Sequence, residues 1–426
     1  MRLSAIFALF FIAQGFPQEV TFQKGQILDS IPVNGTTDNT FTLYLPNKYN
    51  ALKPSSIVFI FDPAGRGTTG IKPFLSSAEN YNYILVCSNN TKNGPYETNF
   101  KITDQLFRHI FATFSIDKRR IYVSGFSGGA RFATAIAVSS ASIQGVIGCG
   151  AGFAGLPYTP SPNSTFSYVG LVGDTDMNYQ EMMKIKTWLH SQPIRGEIFV
   201  FEDDHKWPQP EHLLRAFDWL ELQAYERGIK PKNDVDIDAI FLKSLKVADS
   251  LREGDHIPQA VQEYDRIIRN YTPYFTLDSL VIKNKELKKL KSYKKELKDQ
   301  QRISILEDTL RLRFQKKFST EVESAEGKNN FRWWEKEIRK LEDKYLNSEQ
   351  IHFRKLGKRL QQTLIIMCFE SSHLYIQNKE FYKALYCDRL LALLQPENAN
   401  SHLRLARSYA RTNNLNKLIQ HLDLAL

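Results

Sequence analysis

The sequence predicts an α/β protein in two parts: a mostly parallel β-sheet covered by helices, followed by an all-α region. Strand and helix patterns alternate from residue 17 to about residue 228, which is typical of a parallel sheet with helices on both faces. Beyond about residue 231, strand patterns and glycine-rich turns nearly vanish. A chain of 426 residues is also too long for one ordinary core, so two domains are expected.

The amino terminus has the pattern of a secretory signal. Arg2 supplies a positive charge, and Ala5 to Ala13 form an apolar run too short to span a bilayer. Ala13 and Gly15 place small residues at the positions that precede a cleavage site. We therefore expect residues 1–15 to be a signal peptide and the protein to be exported, either periplasmic or secreted. No later run of 18 or more apolar residues predicts a membrane span.

The strands of the first part are predicted from apolar and alternating runs, and its helices from apolar residues at helical spacing. The predicted strands are 40–45, 57–61, 83–87, 120–126, 144–149, 168–172 and 197–201. The predicted helices between and after them are 104–114, 130–138, 179–190 and 211–225. Strands separated by helices in this way indicate a crossover connection, and hence parallel pairing, along most of the sheet.

A Gly-x-Ser-x-Gly motif joins one of these strands to the next helix. The run Arg120 to Phe126 is apolar and β-branched, and the small-residue segment from Ala130 to Val138 follows the motif. In this context the motif predicts a nucleophile elbow, a tight turn that lifts Ser127 Oγ clear of the sheet. The bare pattern occurs by chance, so the strand before it and the helix after it carry the prediction.

A serine hydroxyl becomes a good nucleophile only when a base removes its proton and a third group orients that base. The strand that ends at Val172 leads into a loop that carries Asp174 and Asp176, either of which could be the acid. Of the nine histidines, His205 alone lies in a loop directly after a strand and beyond Ser127 in the first part. After a nucleophile elbow, the acid and then the histidine follow the serine along the chain. This order predicts that Ser127 acts with His205 and with either Asp176 or Asp174.

These residues resemble those of serine esterases and peptidases of the α/β-hydrolase family, in particular the polyhydroxybutyrate-depolymerase-like and feruloyl-esterase-like enzymes. The resemblance rests on residues 125–129, on the Gly173-x-x-Asp176 loop and on His205-x-Trp207-Pro208. It implies an α/β-hydrolase fold over residues 16–228, and its spacing favours Asp176 over Asp174 as the acid. It also implies an oxyanion hole formed by the amide of Gly128 and by an amide of the loop 62–67, for which we assign Ala64.

The second part is predicted to consist of consecutive amphipathic helices after a linker at 229–234. Residues 396–410 resemble a tetratricopeptide repeat, and a weaker likeness covers 241–271. We therefore expect residues 235–426 to form a tetratricopeptide-like helical domain, with a plain helical bundle as the alternative. Such repeats present an extended surface, so a protein partner is expected there.

Composition and charge indicate which partners and cofactors to expect. The net charge of +10 is concentrated in the second half, where eight lysines lie between Lys283 and Lys298. Leucines and glutamates are interleaved with them and no aromatic ladder accompanies them, so we interpret this run as a solvated helix face and expect no nucleic-acid partner. The four cysteines are far apart and lack metal-type spacing, so neither a metal nor an organic cofactor is expected.

The leading functional prediction is an exported serine hydrolase that cleaves a small carboxylic ester through an acyl-enzyme intermediate. A peptidase with the same residues is the first alternative, because the sequence does not separate an ester from an amide substrate. A binding protein that uses the helical repeats, with the first domain as a scaffold, is the second alternative, since a fold alone does not establish activity.

Overall fold

The structure is a computed structural model that describes residues 22–326 and 329–426. The expected signal peptide, residues 1–15, lies outside the described residues. The described residues of the first part contain eight strands joined in one sheet. They are β1 (Ile27–Pro32), β2 (Thr40–Tyr44), β3 (Ser55–Phe61), β4 (Tyr83–Ser88), β5 (Ile116–Phe126), β6 (Gly145–Cys149), β7 (Ser167–Gly173) and β8 (Gly196–Phe201).

The sheet has the strand order β1-β2-β4-β3-β5-β6-β7-β8. Strand β2 is antiparallel to both of its neighbours, β1 and β4. The six strands in the order β4-β3-β5-β6-β7-β8 pair in parallel. In the middle of the sheet, Phe59 of β3 is in register with Val86 of β4 on one side and Val123 of β5 on the other. The carboxyl ends of β5, β7 and β8 therefore meet at one edge, where ligands bind in sheets of this kind.

From Phe22 onward, six helices of the first part cover both faces of the sheet. Alternate residues of β3 show this, because Ile57 and Phe59 belong to one apolar cluster whereas Val58 and Ile60 belong to another. Each residue of this strand is buried, as its continuous apolar run predicts. The helices are α1 (Gly67–Ile71), α2 (Leu75–Tyr81), α3 (Tyr96–Thr113), α4 (Gly128–Ser139), α5 (Tyr179–Ser191) and α6 (Pro210–Glu226). A 3-10 turn, Lys72–Phe74, joins α1 to α2.

The predicted fold class is confirmed: a mostly parallel α/β sheet covered by helices, followed by an all-helical region. Every strand predicted from the sequence is present within a few residues. The sequence patterns do not predict β1 or the short helices α1 and α2. Residues 27–32 have a weak alternation with a register shift between Leu28 and Ile31, and helices of five to seven residues leave little periodic signal.

The helical region contains nine α-helices within residues 22–326 and 329–426. They are α7 (Asp234–Glu253), α8 (Ile257–Tyr271), α9 (Asp278–Lys289), α10 (Lys291–Glu323), α11 (Arg332–Leu341), α12 (Ile351–Gln377), α13 (Phe381–Leu394), α14 (Ala399–Arg411) and α15 (Leu415–Asp423). A π-helical turn, Glu342–Leu346, follows α11. With 33 and 27 residues, α10 and α12 are too long to belong to a repeat of two short helices. The tetratricopeptide-like interpretation of the helical region stays a prediction.

The two parts are packed against each other across the boundary near residue 231. Leu222 and Tyr225 of α6 lie in the same apolar cluster as Ile237 and Tyr264 of the helical region. Ion pairs also cross: Lys184 with Asp308, and Glu197 with Arg269. The change in composition at this point marks a change of secondary structure, but it does not mark a weakly packed boundary.

The lysine run between Lys283 and Lys298 is divided between the end of α9 and the start of α10 rather than lying on one helix face. Within the lysine run, Lys283 pairs with Asp249 and Lys288 pairs with Asp265, so part of its charge is neutralised by neighbouring helices. All four cysteines are buried free thiols. Among the helices of residues 22–326 and 329–426, none is both long and apolar enough to cross a membrane.

Candidate active site

Ser127 occupies the tight turn between β5, which ends at Phe126, and α4, which begins at Gly128. Its backbone has φ of +52° and ψ of −120°, a conformation that non-glycine residues rarely adopt. Strain of this kind costs about 1–3 kcal/mol and is held in place by the surrounding packing. The turn therefore has the geometry predicted for a nucleophile elbow.

Glycine is required at positions 125 and 129, because neighbouring backbone atoms lie too close to these residues to leave room for a side chain. A Cβ atom on Gly129 would lie 2.0 Å from the carbonyl oxygen of Phe61 at the end of β3. A Cβ atom on Gly125 would lie 2.3 Å from the carbonyl carbon of Gly129. Any side chain at these positions would push the first turn of α4 away from the sheet, so the motif follows from packing as well as from chemistry.

The structure brings Ser127, His205 and Asp176 together in one hydrogen-bonded chain. His205 Nε2 lies 3.0 Å from Ser127 Oγ, and His205 Nδ1 lies 2.8 Å from Asp176 Oδ2. Asp176 is 1% exposed, and its second carboxylate oxygen accepts the backbone N–H of Asn178 at 2.7 Å. The three residues come from the loops after β5, β7 and β8, and their chain order is the order expected from the sequence.

The two neighbouring aspartates of the loop after β7 have different hydrogen-bond partners. The Asp176 side chain points to His205, whereas Asp174 Oδ2 lies 2.5 Å from Nζ of Lys355 in α12. The backbone N–H of Asp176 donates to the carbonyl of Gly173, which closes a tight turn after β7. This turn directs the second of the two carboxylates towards the histidine.

Aromatic side chains and Asp62 support the histidine loop. The ring of Phe126 lies 4.7 Å from the His205 ring, centroid to centroid, and 5.4 Å from that of Trp207. Trp207 Nε1 donates to Asp62 Oδ2 at 3.0 Å. Burial alone would raise the pKa of Asp62, but hydrogen bonds from Arg66, Trp207 and the Ala64 amide outweigh it and hold this pKa below its usual value. Asp62 is therefore a charged anchor between two loops of the site.

The sequence-based assignment of Ala64 as an oxyanion donor is corrected by this arrangement. The Ala64 amide donates to Asp62 Oδ1 at 2.9 Å, so its hydrogen is already engaged. Gly128 lies at the first position of α4, where a helix leaves its N–H groups without an intrahelical acceptor. The side-chain amide of Asn93 packs against Gly128, since a Cβ atom there would lie 1.9 Å from Asn93 Oδ1.

A cavity of about 340 Å³ opens beside Ser127. Its wall includes Asn93, Lys92 and Arg131 from the α/β part, and Glu370 from α12 of the helical region. Arg131 is held by both oxygens of Glu181 at 2.6 Å, so its charge is paired. The other lining residues are Phe61, Asp62, Pro63, Thr91, Gly94, Tyr96, Asn99, Gly128, Gly129, Phe132, Met177 and Asn178.

Asn93 and Glu370 were missed by the sequence analysis. Asn93 lies in the loop after β4, and its position at the end of a parallel strand was a usable signal. No local pattern singles out Glu370, which is one glutamate on a long helix. Among the residues that the structure describes, no group of three or more His, Cys, Asp or Glu side chains is placed to hold a metal ion.

Neither a protein-family model nor a curated protein sequence matches the chain. Solved structures that superpose on it include the S-formylglutathione hydrolase of Staphylococcus aureus, at 14% identity and a TM-score of 0.39, covering 46% of this chain and 95% of that one. Another is an esterase of Thermogutta terrifontis, at 12% identity and a TM-score of 0.36, covering 49% and 96%. The feruloyl esterase module of Clostridium thermocellum has 13% identity and a TM-score of 0.37, covering 45% and 86%.

Proposed function

We propose that this chain is a serine hydrolase that cleaves small carboxylic esters through an acyl-enzyme intermediate. The observation that carries the proposal is the continuous chain of hydrogen bonds from Ser127 Oγ through His205 to Asp176. A hydroxyl, an imidazole and a buried carboxylate in this order are what nucleophilic acyl transfer requires. The adjacent cavity falls within the size range of small-molecule sites.

In the acylation step, Ser127 Oγ attacks the carbonyl carbon of the ester and its proton passes to His205 Nε2. The carbonyl oxygen becomes an oxyanion, which accepts the N–H of Gly128. Collapse of this tetrahedral intermediate breaks the bond to the alcohol oxygen, and the departing alcohol takes the proton back from His205. The Asp176 carboxylate accepts a hydrogen bond from the Nδ1–H of His205 and stabilises the imidazolium while it is present.

In the deacylation step, water replaces the alcohol in the site. His205 Nε2 takes one proton from the water, whose oxygen attacks the acyl carbon of the Ser127 ester. The second tetrahedral intermediate expels Ser127 Oγ, which recovers its proton from His205, and a carboxylic acid leaves. No metal or organic cofactor enters either step.

Asn93 is our candidate for the second oxyanion donor in place of Ala64. Its side-chain amide lies next to Gly128 and lines the same cavity as Ser127. Its NH₂ group can donate two hydrogen bonds. A donor held beside the nucleophile stabilises the charge that develops in both tetrahedral intermediates.

Fluorophosphonate labelling of the full chain tests the proposal. We expect the wild-type protein to be labelled on Ser127 and to hydrolyse a short-chain chromogenic ester. Ser127→Ala should be neither labelled nor active, with an unchanged circular-dichroism spectrum. Absence of labelling in the folded wild type would overturn the hydrolase proposal and favour the binding-protein alternative. Matched ester and anilide substrates with the same acyl group distinguish an esterase from a peptidase.

We also propose that the protein is exported and that the helical region contacts a protein partner. The support for export is the charged and apolar pattern of residues 1–15, and the support for a partner is the repeat-like pattern of residues 396–410. Intact-mass measurement of the protein recovered from a secreting host tests export. Cleavage after Gly15 is expected, and recovery of the uncleaved chain would contradict it.

A further inference from the structure

One stripe of α12 faces the α/β part along the candidate active site. Lys355, Arg359, Thr363 and Glu370 are spaced by four, four and seven residues, which places them on one face of a helix. At a rise of about 1.5 Å per residue this stripe is about 22 Å long. Lys355 and Arg359 contact the loop that carries Asp176, and Glu370 lines the cavity beside Ser127.

Three cationic side chains of the helical region hold this loop on both sides of Asp176. Before it, Lys355 Nζ lies 2.5 Å from Asp174 Oδ2, and Arg359 Nη1 donates to the Asp174 carbonyl at 2.7 Å. After it, Arg311 Nη2 of α10 donates to the carbonyl of Met177 at 3.0 Å. The catalytic acid of the proposed mechanism therefore lies between two points that are fixed by another region of the chain.

Arg359 is itself held by several partners. Arg359 makes a bidentate pair with Glu307 of α10, in which Nε donates to Oε1 at 3.1 Å and Nη2 donates to Oε2 at 2.6 Å, and both side chains are almost completely buried. Gln180 of α5 donates to the same carboxylate at 2.9 Å, and the Arg359 guanidinium lies 4.7 Å from the Tyr179 ring centroid. A bidentate Arg–carboxylate pair with further hydrogen bonds fixes the planes of both groups. The loop is thus attached to a network with little freedom of movement.

We propose that α12 is a positioning element of the active site, with Lys355 and Arg359 holding the Asp176 loop so that its carboxylate meets His205. This inference rests on the proposed function, because it assigns a role within the same site. Release of the loop would lengthen the 2.8 Å contact between Asp176 and His205 Nδ1. A displacement of about 1 Å at a catalytic group lowers the rate by up to about 100-fold. The helical region is therefore part of the catalytic unit.

Lys355→Met in the full chain is the first test, with Lys184→Met as its matched control. Both lysines pair with an aspartate across the two parts of the chain, but the partner of Lys184 is Asp308, away from the Asp176 loop. We expect Lys355→Met to lower kcat on a neutral ester by about 10- to 100-fold with KM unchanged. Lys184→Met should leave both parameters unchanged. Equal losses in the two variants, or no loss in Lys355→Met, would overturn the proposal.

A double-mutant cycle separates positioning from general destabilisation. If Lys355 acts through Asp174, its removal should cost little further activity in an Asp174→Asn background, and Lys355→Arg should restore most of kcat. Additive losses would contradict this route. Arg359→Met is less suitable, because it leaves Glu307 buried without its main partner and threatens folding. Labelling of the wild type reports on the proposed function separately: a labelled wild type with an unaffected Lys355→Met variant refutes the positioning role alone.

Discussion

The indole of Trp207 donates its Nε1 hydrogen to Asp62 Oδ2 at 3.0 Å, which connects the loop after β8 to the loop after β3. Trp207 lies two residues beyond His205, so this bond fixes the histidine loop to the centre of the sheet. Asp62 also accepts hydrogen bonds from Arg66 and from the Ala64 amide. One buried carboxylate therefore orders the two loops that face each other across Ser127.

Trp207→Phe should lower kcat because it removes this hydrogen bond while keeping an aromatic ring against Phe126. We expect a loss of about 10-fold, with KM little changed, since the effect is on the position of His205. Trp219→Phe is the matched control, because Trp219 Nε1 also donates to a side chain, Asn270 Oδ1 at 3.1 Å, away from the site. Steady-state kinetics on both variants check this, and equal losses would refute the role of the Trp207–Asp62 bond.

The sequence predicts those residues of the site that a local pattern marks, but not those that depend on contacts between distant parts of the chain. Ser127, Asp176 and His205 each follow a strand pattern directly, so local patterns and chain order place them on neighbouring loops. The family resemblance implies an oxyanion donor in the loop 62–67, for which we assign Ala64, but the Asp62 side chain takes up the Ala64 N–H. Arg359 and the Asp174 carbonyl are 185 residues apart, and no periodic pattern encodes a contact between a helix face and a distant loop.

Substitution of each of the two aspartates in the loop after β7 should lower kcat, but to different extents. Asp176→Asn keeps the shape of the side chain but removes the charge that orients His205, and a change of this kind costs about 10⁴-fold in kcat in serine hydrolases. Asp174→Asn only weakens the contact with Lys355, so we expect a loss closer to 10-fold. Rates of ester hydrolysis measured side by side give the order. A larger loss in Asp174→Asn would show that the acid is wrongly assigned.

Asn93→Ala should reduce kcat strongly if its amide stabilises the oxyanion. Removal of one such donor costs about 10²- to 10³-fold in kcat and leaves KM nearly unchanged. Asn90→Ala is the control: Asn90 Oδ1 accepts the Thr40 N–H at 2.7 Å, so its amide supports the same loop outside the cavity. A kcat for Asn93→Ala within a factor of two of the Asn90→Ala value would exclude Asn93 as a donor.

The charges on the cavity wall should set a preference between substrates. Glu370 and Lys92 both line the cavity, whereas the charge of Arg131 is paired with Glu181. Glu370→Gln should raise kcat/KM for an anionic ester relative to a neutral one by up to about fivefold, and Lys92→Gln should lower the same ratio. Both effects should shrink in about 1 M salt, because exposed charges are screened. Ratios that do not move in opposite directions would contradict this assignment.

Acid should weaken the packing of the helical region through Glu197 of β8. Burial raises the pKa of this carboxyl, but the neighbouring His190 and the charges of Arg269, Lys186 and Arg266 outweigh it and lower the pKa to about 2. Arg269 Nη2 of α8 lies 2.6 Å from its Oε2. Because the folded-state pKa is below the usual 4.5, ionised Glu197 stabilises the fold above about pH 4.5, and this contribution is lost as the pH falls towards 2.

Glu197→Gln should therefore be less stable than the wild type near pH 7, by about 1–3 kcal/mol, because the cations around it lose their partner. The difference in free energy of unfolding should narrow as the pH is lowered below about 4.5, since the wild-type carboxylate then loses its advantage. Denaturant titrations at several pH values measure this. Glu226→Gln, which removes the more exposed pair with Arg195, should show a small difference at every pH. A Glu197→Gln difference that stayed constant down to pH 3 would show that this ion pair does not fasten α8 to the sheet.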